Sequence, residues 1–391
     1  MLDSNNKPRW LVLWLSLGLL WWLLGMSVLP SSKVYHQGLM ILSWLPGLLL
    51  LFRRADLCDA WRQRLSLALL ALVAWSAASW WWSQTPTPIS ETKVFVYVLL
   101  ATNGFLALAV LSPPAFWRCL AVGAIANGFL ALISVVYFYG WIVSGDWKER
   151  AVGIGLLSDP ILAAQVYVST ALLLPFLREH LPVRLRAWAY YSSAFGYVAF
   201  LLLCQSRGPL LAAIVTVLLM PLWMRSRGAW LAAGVVVMAT AILALVMPYL
   251  FLQRGLSYRP ELFQLAWQQF LSHPFIGIGF DSPYWLKVAD IEQPFKHAHN
   301  LYLHIAIILG AFGLALWLWL QVEAWRIAWR ARFESEGRAL CTLLCFAELA
   351  VFTDASGLWV KPREEWFCIW FPIFFALVLS TVLSTKDRRT T

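Results

Sequence analysis

Charge is scarce in this chain. Of its 391 residues only 13% are charged, against about 25% in soluble domains. Cysteine is sparse as well, at six. Cys58, Cys119, Cys204, Cys341, Cys345 and Cys368 fall inside apolar stretches or on the basic side of the chain, so no disulfide framework and no thiolate metal site is indicated. Cys341 and Cys345, one helical turn apart, read as packing residues. No internal repeat, low-complexity tract or second domain stands out. Together these absences exclude a soluble enzyme, a disulfide scaffold and a disordered chain. What abounds is apolar side chain: 61% of residues are hydrophobic, 25 are tryptophan, and the mean hydropathy is +0.69.

The apolar residues come in stretches of about 17–25, the length of a helix that crosses a bilayer. Twelve such spans are expected, at roughly 10–30, 36–52, 65–83, 92–111, 115–143, 154–177, 187–204, 208–224, 229–252, 299–322, 339–353 and 366–385. The predicted fold class is therefore an all-α polytopic membrane protein of about 12 transmembrane helices, with residues 1–391 forming a single integral membrane domain. The first span is too long for a signal-peptide core and reads as an uncleaved helix. Most of the 30 Lys and Arg residues fall on one set of connections, which by the positive-inside rule places both termini in the cytoplasm. The net charge of +10 is then orientation signal, and nucleic-acid binding need not be invoked.

This topology leaves one long connection, residues 253–298, facing outward between the ninth and tenth spans. Loops of that length are functional or disordered, and this one is not disordered in composition. Pro260 and Glu261 suit a helix start. Leu262, Phe263, Ala266, Trp267 and Phe270 then recur at helical spacing, giving an amphipathic helix with an apolar face for the membrane surface or the bundle. Gly277 and Gly279 are expected in a tight turn. No strand–turn–helix unit surrounds them, so they are not a nucleotide fingerprint.

Three features converge on the outer face. Arg207 sits in a break of a few residues between two apolar spans, where a charge costs up to about 2.5–3.5 kcal/mol unless it faces a cavity or snorkels. Arg259 opens the loop helix, where its guanidinium can meet an anion at the helix N-terminus or can simply be solvated. Lys296-His297-Ala298-His299-Asn300 precedes the tenth span, with Asn300 as a plausible N-cap. A neutral imidazole there can take a proton from a hydroxyl. Capping or a zinc pair are the other readings, although no clear third ligand supports zinc. Asp290-Ile291-Glu292 is the nearest acidic motif. Lys148 and Arg150 look like ordinary outer charges. Residues 354–365, with Asp354, Lys361, Arg363, Glu364 and Glu365, read first as a solvated loop. Asp159 and Glu348 are the expected intramembrane charges, Glu348 facing the bundle interior.

His299-Asn300, nine residues, Gly310, two residues and Gly313 make up a pattern that resembles the His-Asn-x9-Gly-x2-Gly signature of the O-antigen ligase family. The Ser206-Arg207-Gly208 segment, the His-Pro-x2-Gly-x-Gly run from His273 to Gly279 and the twelve-span layout are similar to that family too. O-antigen polymerases and pilin oligosaccharide ligases share much of the pattern. The resemblance implies a GT-C-like membrane glycosyltransferase of the bacterial inner membrane, with its active site on the periplasmic side. The implied donor is O-antigen polysaccharide on undecaprenyl pyrophosphate, and the implied acceptor a sugar hydroxyl of lipid A–core. By resemblance His299 is the catalytic base, Arg207 and Arg259 bind pyrophosphate, and transfer inverts the anomeric centre without a metal or other cofactor. His297, Lys296 and Asn300 are possible supporting residues, and 354–365 could rim the acceptor site. The chemistry fits those residues: pyrophosphate is a good leaving group that needs fixed cations rather than a general acid. The alternatives are a polymerase or pilin ligase with the same chemistry, and a lipid-linked sugar flippase, which would favour a charged intramembrane cavity and paired repeats.

Overall fold

The computed structural model describes residues 8–85, 91–143, 145–181, 186–246, 258–289 and 291–390. Its helices in chain order are α1 Arg9–Val28, α2 Ser32–Leu51, α3 Arg64–Trp82, α4 Lys93–Leu111, α5 Pro113–Ile142, α6 Pro160–His180, α7 Arg186–Leu203, α8 Arg207–Met224, α9 Arg227–Val246, α10 Arg259–Ser272, α11 Leu301–Arg330, α12 Ser335–Thr353 and α13 Trp366–Thr385. Each expected span falls on one of these, and ten are long and apolar enough to cross a membrane. The α10 helix is the helix expected in the long connection. Among the described residues the sole β pairing is an isolated bridge, Leu286 to Phe295. The chain is an all-α, multi-pass membrane protein. The end of the ninth span (247–252), the start of the long connection (253–257) and Asp290 lie outside the described residues.

Lipid tails are as apolar as leucine, so helices in a membrane associate through close packing rather than through water exclusion. Small residues provide it here. A Cβ on Gly196 of α7 would come within 2.1 Å of the Gly128 carbonyl of α5, so this crossing admits no side chain. At the centre Trp22 of α1 stacks on Phe367 at 4.3 Å between ring centroids and meets Phe105 of α4 edge-on. The α13 helix is the most enclosed element and α9 the most peripheral.

Three local expectations change. The sixth span starts at Pro160 rather than near 154, because Asp159 caps it: its Oδ1 accepts the N–H groups of Ile161 and Leu162 at 2.8 and 2.9 Å. Asp159 is thus a cap at a helix mouth, not an intramembrane charge. Arg150 is also more than an outer charge. Its Nε donates to the Cys204 carbonyl (3.0 Å) and its Nη2 to Ser206 Oγ (2.9 Å), bracing the turn that starts α8. Glu348 finds its partner in Trp325, whose Nε1 donates to Oε1 at 2.6 Å.

The largest departure is inside α11. The helix breaks at Gly310, which takes φ 72° and ψ −176°. Backbone groups freed by a break at membrane depth must be satisfied within the protein, and residues 274–279 do this. Ile278 and Gly279 donate their N–H groups to the carbonyls of Ile307 and Ile308 (both 2.9 Å), while Ala311 donates to the Pro274 carbonyl at 2.8 Å. Trp75 Nε1 of α3 takes the Leu309 carbonyl at 3.0 Å. The Gly277 and Gly279 segment therefore docks into the broken helix instead of making a free tight turn. A Cβ on Gly277 would sit 2.4 Å from the Ile308 oxygen, and one on Gly310 2.2 Å from the Phe275 oxygen. Two glycine patterns some 30 residues apart are the two halves of one joint.

Candidate active site

Four helix ends meet at one edge of the bundle: the starts of α8, α10 and α11 and the end of α12. Each start is set by an unusual residue. Gln205, Tyr258 and His299 all lie at positive φ (50°, 58° and 49°), and these are three of the five non-glycine residues that do so among those described. Such conformations cost of order 1–3 kcal/mol and gather where the surroundings enforce them, often at functional sites. Asn300 occupies the N-cap of α11. Its Oδ1 accepts from Leu303 N (3.0 Å) and its Nδ2 donates to the Phe352 carbonyl (3.0 Å), tying the mouth of α11 to the end of α12.

His299, held just ahead of that cap, donates from Nδ1 to Asp354 Oδ1 at 2.8 Å. A carboxylate only accepts, so the bond places a proton on Nδ1, and in the neutral ring the lone pair is then on Nε2. The other oxygen, Oδ2, accepts from Arg259 Nη2 at 3.3 Å. The backbone carbonyl of Asp354 is itself held by Gln165 Nε2 (3.0 Å). Arg259 lies over the first turn of α8, since a Cβ on Gly208 would come within 3.5 Å of its Nη1 and 3.0 Å of Thr353 Oγ1. That brings the segment carrying Arg207 beside Arg259. A cavity of about 280 Å³ opens between Arg259, Phe263, Ala298, His299 and Phe352. The α10 helix closes it by burying Leu262 and Ala266 while leaving Phe263 and Trp267 exposed.

The other sequence candidates are placed differently. The His297 ring packs against that of His299, 4.2 Å between centroids. Burial pushes its protonation below the ordinary range, and His299 and Arg363 nearby act in the same direction. Lys296 lines a separate cavity. Among the described residues no three His, Cys, Asp or Glu side chains gather as a metal ion would need.

Sequence reasoning read 354–365 first as a solvated loop, with an acceptor-site rim as the alternative, and gave Asp354 no role of its own. The segment is anchored at both ends. Asp354 is inside the site, and Glu365, only 2% exposed, accepts the Ser356 N–H (2.6 Å) and hydroxyl (2.9 Å). A signal was available. Asp354 directly follows an apolar helix, where its charge opposes the negative end of the dipole. An acid in that position needs compensating donors, and here they are His299 and Arg259.

A family model described as O-Antigen ligase matches residues 193–318. The chain is also 27% identical over 376 residues to an O-antigen ligase of Pseudomonas aeruginosa, covering 94% of this chain and 90% of that protein. The chain is thus similar to O-antigen ligases, through the family model over residues 193–318 and through that relative over most of its length. The stretch matched by the O-antigen ligase model contains Arg207, Arg259, His297, His299, Asn300, Gly277, Gly279 and Gly310. It stops before α12, so the carboxylate that pairs with His299 and Arg259 comes from outside it.

Proposed function

We propose that this protein is an O-antigen ligase that transfers O-antigen polysaccharide from undecaprenyl pyrophosphate to a sugar hydroxyl of lipid A–core, at the periplasmic face of a bacterial inner membrane with both termini in the cytoplasm. The observation that carries the reading is the single carboxylate of Asp354, which holds His299 and Arg259 together at one edge of the bundle.

The acceptor hydroxyl gives its proton to Nε2 of His299 as its oxygen forms a bond to the donor's anomeric carbon. On the opposite side the bond from that carbon to pyrophosphate breaks, and its electron pair leaves with the phosphate. Asp354 fixes the tautomer and stabilises the imidazolium that forms, without taking the proton. Arg259 and Arg207 meet the charge that develops on the leaving group with donors that do not titrate, so the anomeric centre inverts with no metal ion required.

The prenyl chain of the donor has a matching surface. A groove of about 580 Å³ between α8, α11 and α12, bounded by Leu222, Trp223, Trp325 and Phe352, shares Phe352 with the Arg259 cavity. The lipid would then run down the bundle from a pyrophosphate held at its edge. The test is complementation of cells lacking the protein, read on a gel of lipopolysaccharide. Wild type should restore the polysaccharide ladder on core, and His299→Ala should leave bare core with polymer retained on the carrier. Single-unit glycans on core in the cells lacking the protein would instead mean a polymerase, and an unchanged gel a different acceptor such as pilin.

A further inference from the structure

The strip of chain from Lys296 to Asn300 has a cavity on each side. Ala298 and His299 line the Arg259 cavity, whereas Lys296 lines a second one of about 490 Å³, bounded also by Tyr284, Trp285, His304, Ser356 and Trp359. The strip is held from the second side: the Tyr284 hydroxyl accepts the Ala298 N–H at 3.2 Å and pairs with His304 Nδ1 at 2.9 Å.

The wall of the second cavity selects its occupant. Its flat surfaces are indoles, Trp285 being 58% exposed, and between them stand an ammonium, a hydroxyl and the Asp281 carboxylate. An isoprenoid gains nothing from so polar a lining. A pyrophosphate would face a carboxylate with only one lysine to balance it. A sugar ring suits it, because its C–H face lies on an indole while its hydroxyls reach the surrounding donors and acceptors. Trp359 also borders a third cavity, of about 490 Å³, with His36, Lys361 and Arg363 on its wall. The two cavities share Trp359 and Val360 on their walls.

Two glycans take part in the proposed reaction, and the geometry separates them. With the leaving group at Arg259, in-line displacement needs the acceptor on the opposite side of the anomeric carbon, and the cavity that borders Lys296, three residues before His299, is the space left for its glycan. We propose that the Trp285–Trp359 cavity binds the glycan of the acceptor and presents its hydroxyl to His299, with Trp285 as the stacking platform. This assignment rests on the ligase reading of His299.

The experiment uses the purified full-length chain and two readouts. Binding is titrated calorimetrically with delipidated core oligosaccharide as the probe. Trp285→Ala should weaken it about tenfold, the scale of one lost aromatic stacking contact, and Trp285→Phe should recover most of the loss. In proteoliposomes, with the lipid-linked donor and lipid A–core varied separately, Trp285→Ala should raise KM for the acceptor about tenfold with donor KM and kcat unchanged. Unaltered core binding, or a rise in donor KM instead, overturns the proposal. Wild-type protein that binds core oligosaccharide through Trp285 but transfers nothing to lipid A–core would sink the ligase reading, and with it the presentation of a hydroxyl to His299, leaving the cavity as a glycan-binding site alone. Trp285 is exposed, so its truncation leaves the core intact, and an unchanged melting profile checks this.

Discussion

Asp354 uses both of its oxygens, one on His299 and one on Arg259, so the base and the cation act as a unit. Asp354→Asn keeps the shape but loses the charge, and its amide cannot accept on both sides. Transfer should fall by about 10²–10⁴-fold, the usual worth of positioned acid–base catalysis, and His299→Ala should fall as far. The double variant should be little worse than either single one, because residues that act as a unit are not additive; initial rates in proteoliposomes check this, and multiplicative losses would mean separate roles. His297 bears on pH. Its protonation is suppressed in the fold by burial first and by His299 next, with Asp354 pulling the other way and Arg363 adding to the suppression. Below about pH 6.5, the ordinary histidine value, the unfolded chain then binds a proton that the native chain does not. Stability is full above that pH and declines as pH falls toward the lowered native value. Melting profiles in detergent should show this slope, and His297→Gln should flatten it.

At the scale of elements, the joint between residues 274–279 and the break in α11 holds the long connection against the bundle. Gly310→Ala puts a Cβ 2.2 Å from the Phe275 oxygen on a backbone at φ 72°, where L side chains are strained. It should lower the melting temperature and cut transfer even though it touches neither His299 nor Arg259. Trp75→Phe removes the donor to the Leu309 carbonyl and part of the ring that packs on Phe312. Leaving that carbonyl unsatisfied should cost about 1–3 kcal/mol, a smaller drop in the same thermal assay. Both glycine motifs were legible in the sequence, but their mating was not. The bonds that join them connect residues about 30 apart, and hydrophobic periodicity carries no trace of such a pairing.

At the scale of the whole molecule, the positions of its cysteines make the orientation testable. Among the six, Cys58 alone is exposed, and it lies in the connection after α2, expected on the cytoplasmic side, whereas Trp285 belongs to the connection expected outside. A membrane-impermeant maleimide should leave the native chain unlabelled in intact spheroplasts and react after the membrane is opened. A Trp285→Cys variant should label from outside, and the reverse pattern would invert the topology. The sequence by itself determined the all-α, multi-pass class and the approximate place of the ten helices long and apolar enough to cross, because the thickness of the hydrocarbon layer sets the length of an apolar run and the cost of burying charge keeps its ends polar. It also brought His299, Arg207 and Arg259 to notice, since polar residues at the mouths of apolar helices stand out. Only the tertiary structure decided that Asp354 joins His299 to Arg259, that Lys296 faces a different cavity, and that α11 is broken and repaired by the loop before it. Those outcomes depend on which donors and acceptors from distant segments can satisfy one another in space, and no local pattern in the chain encodes that.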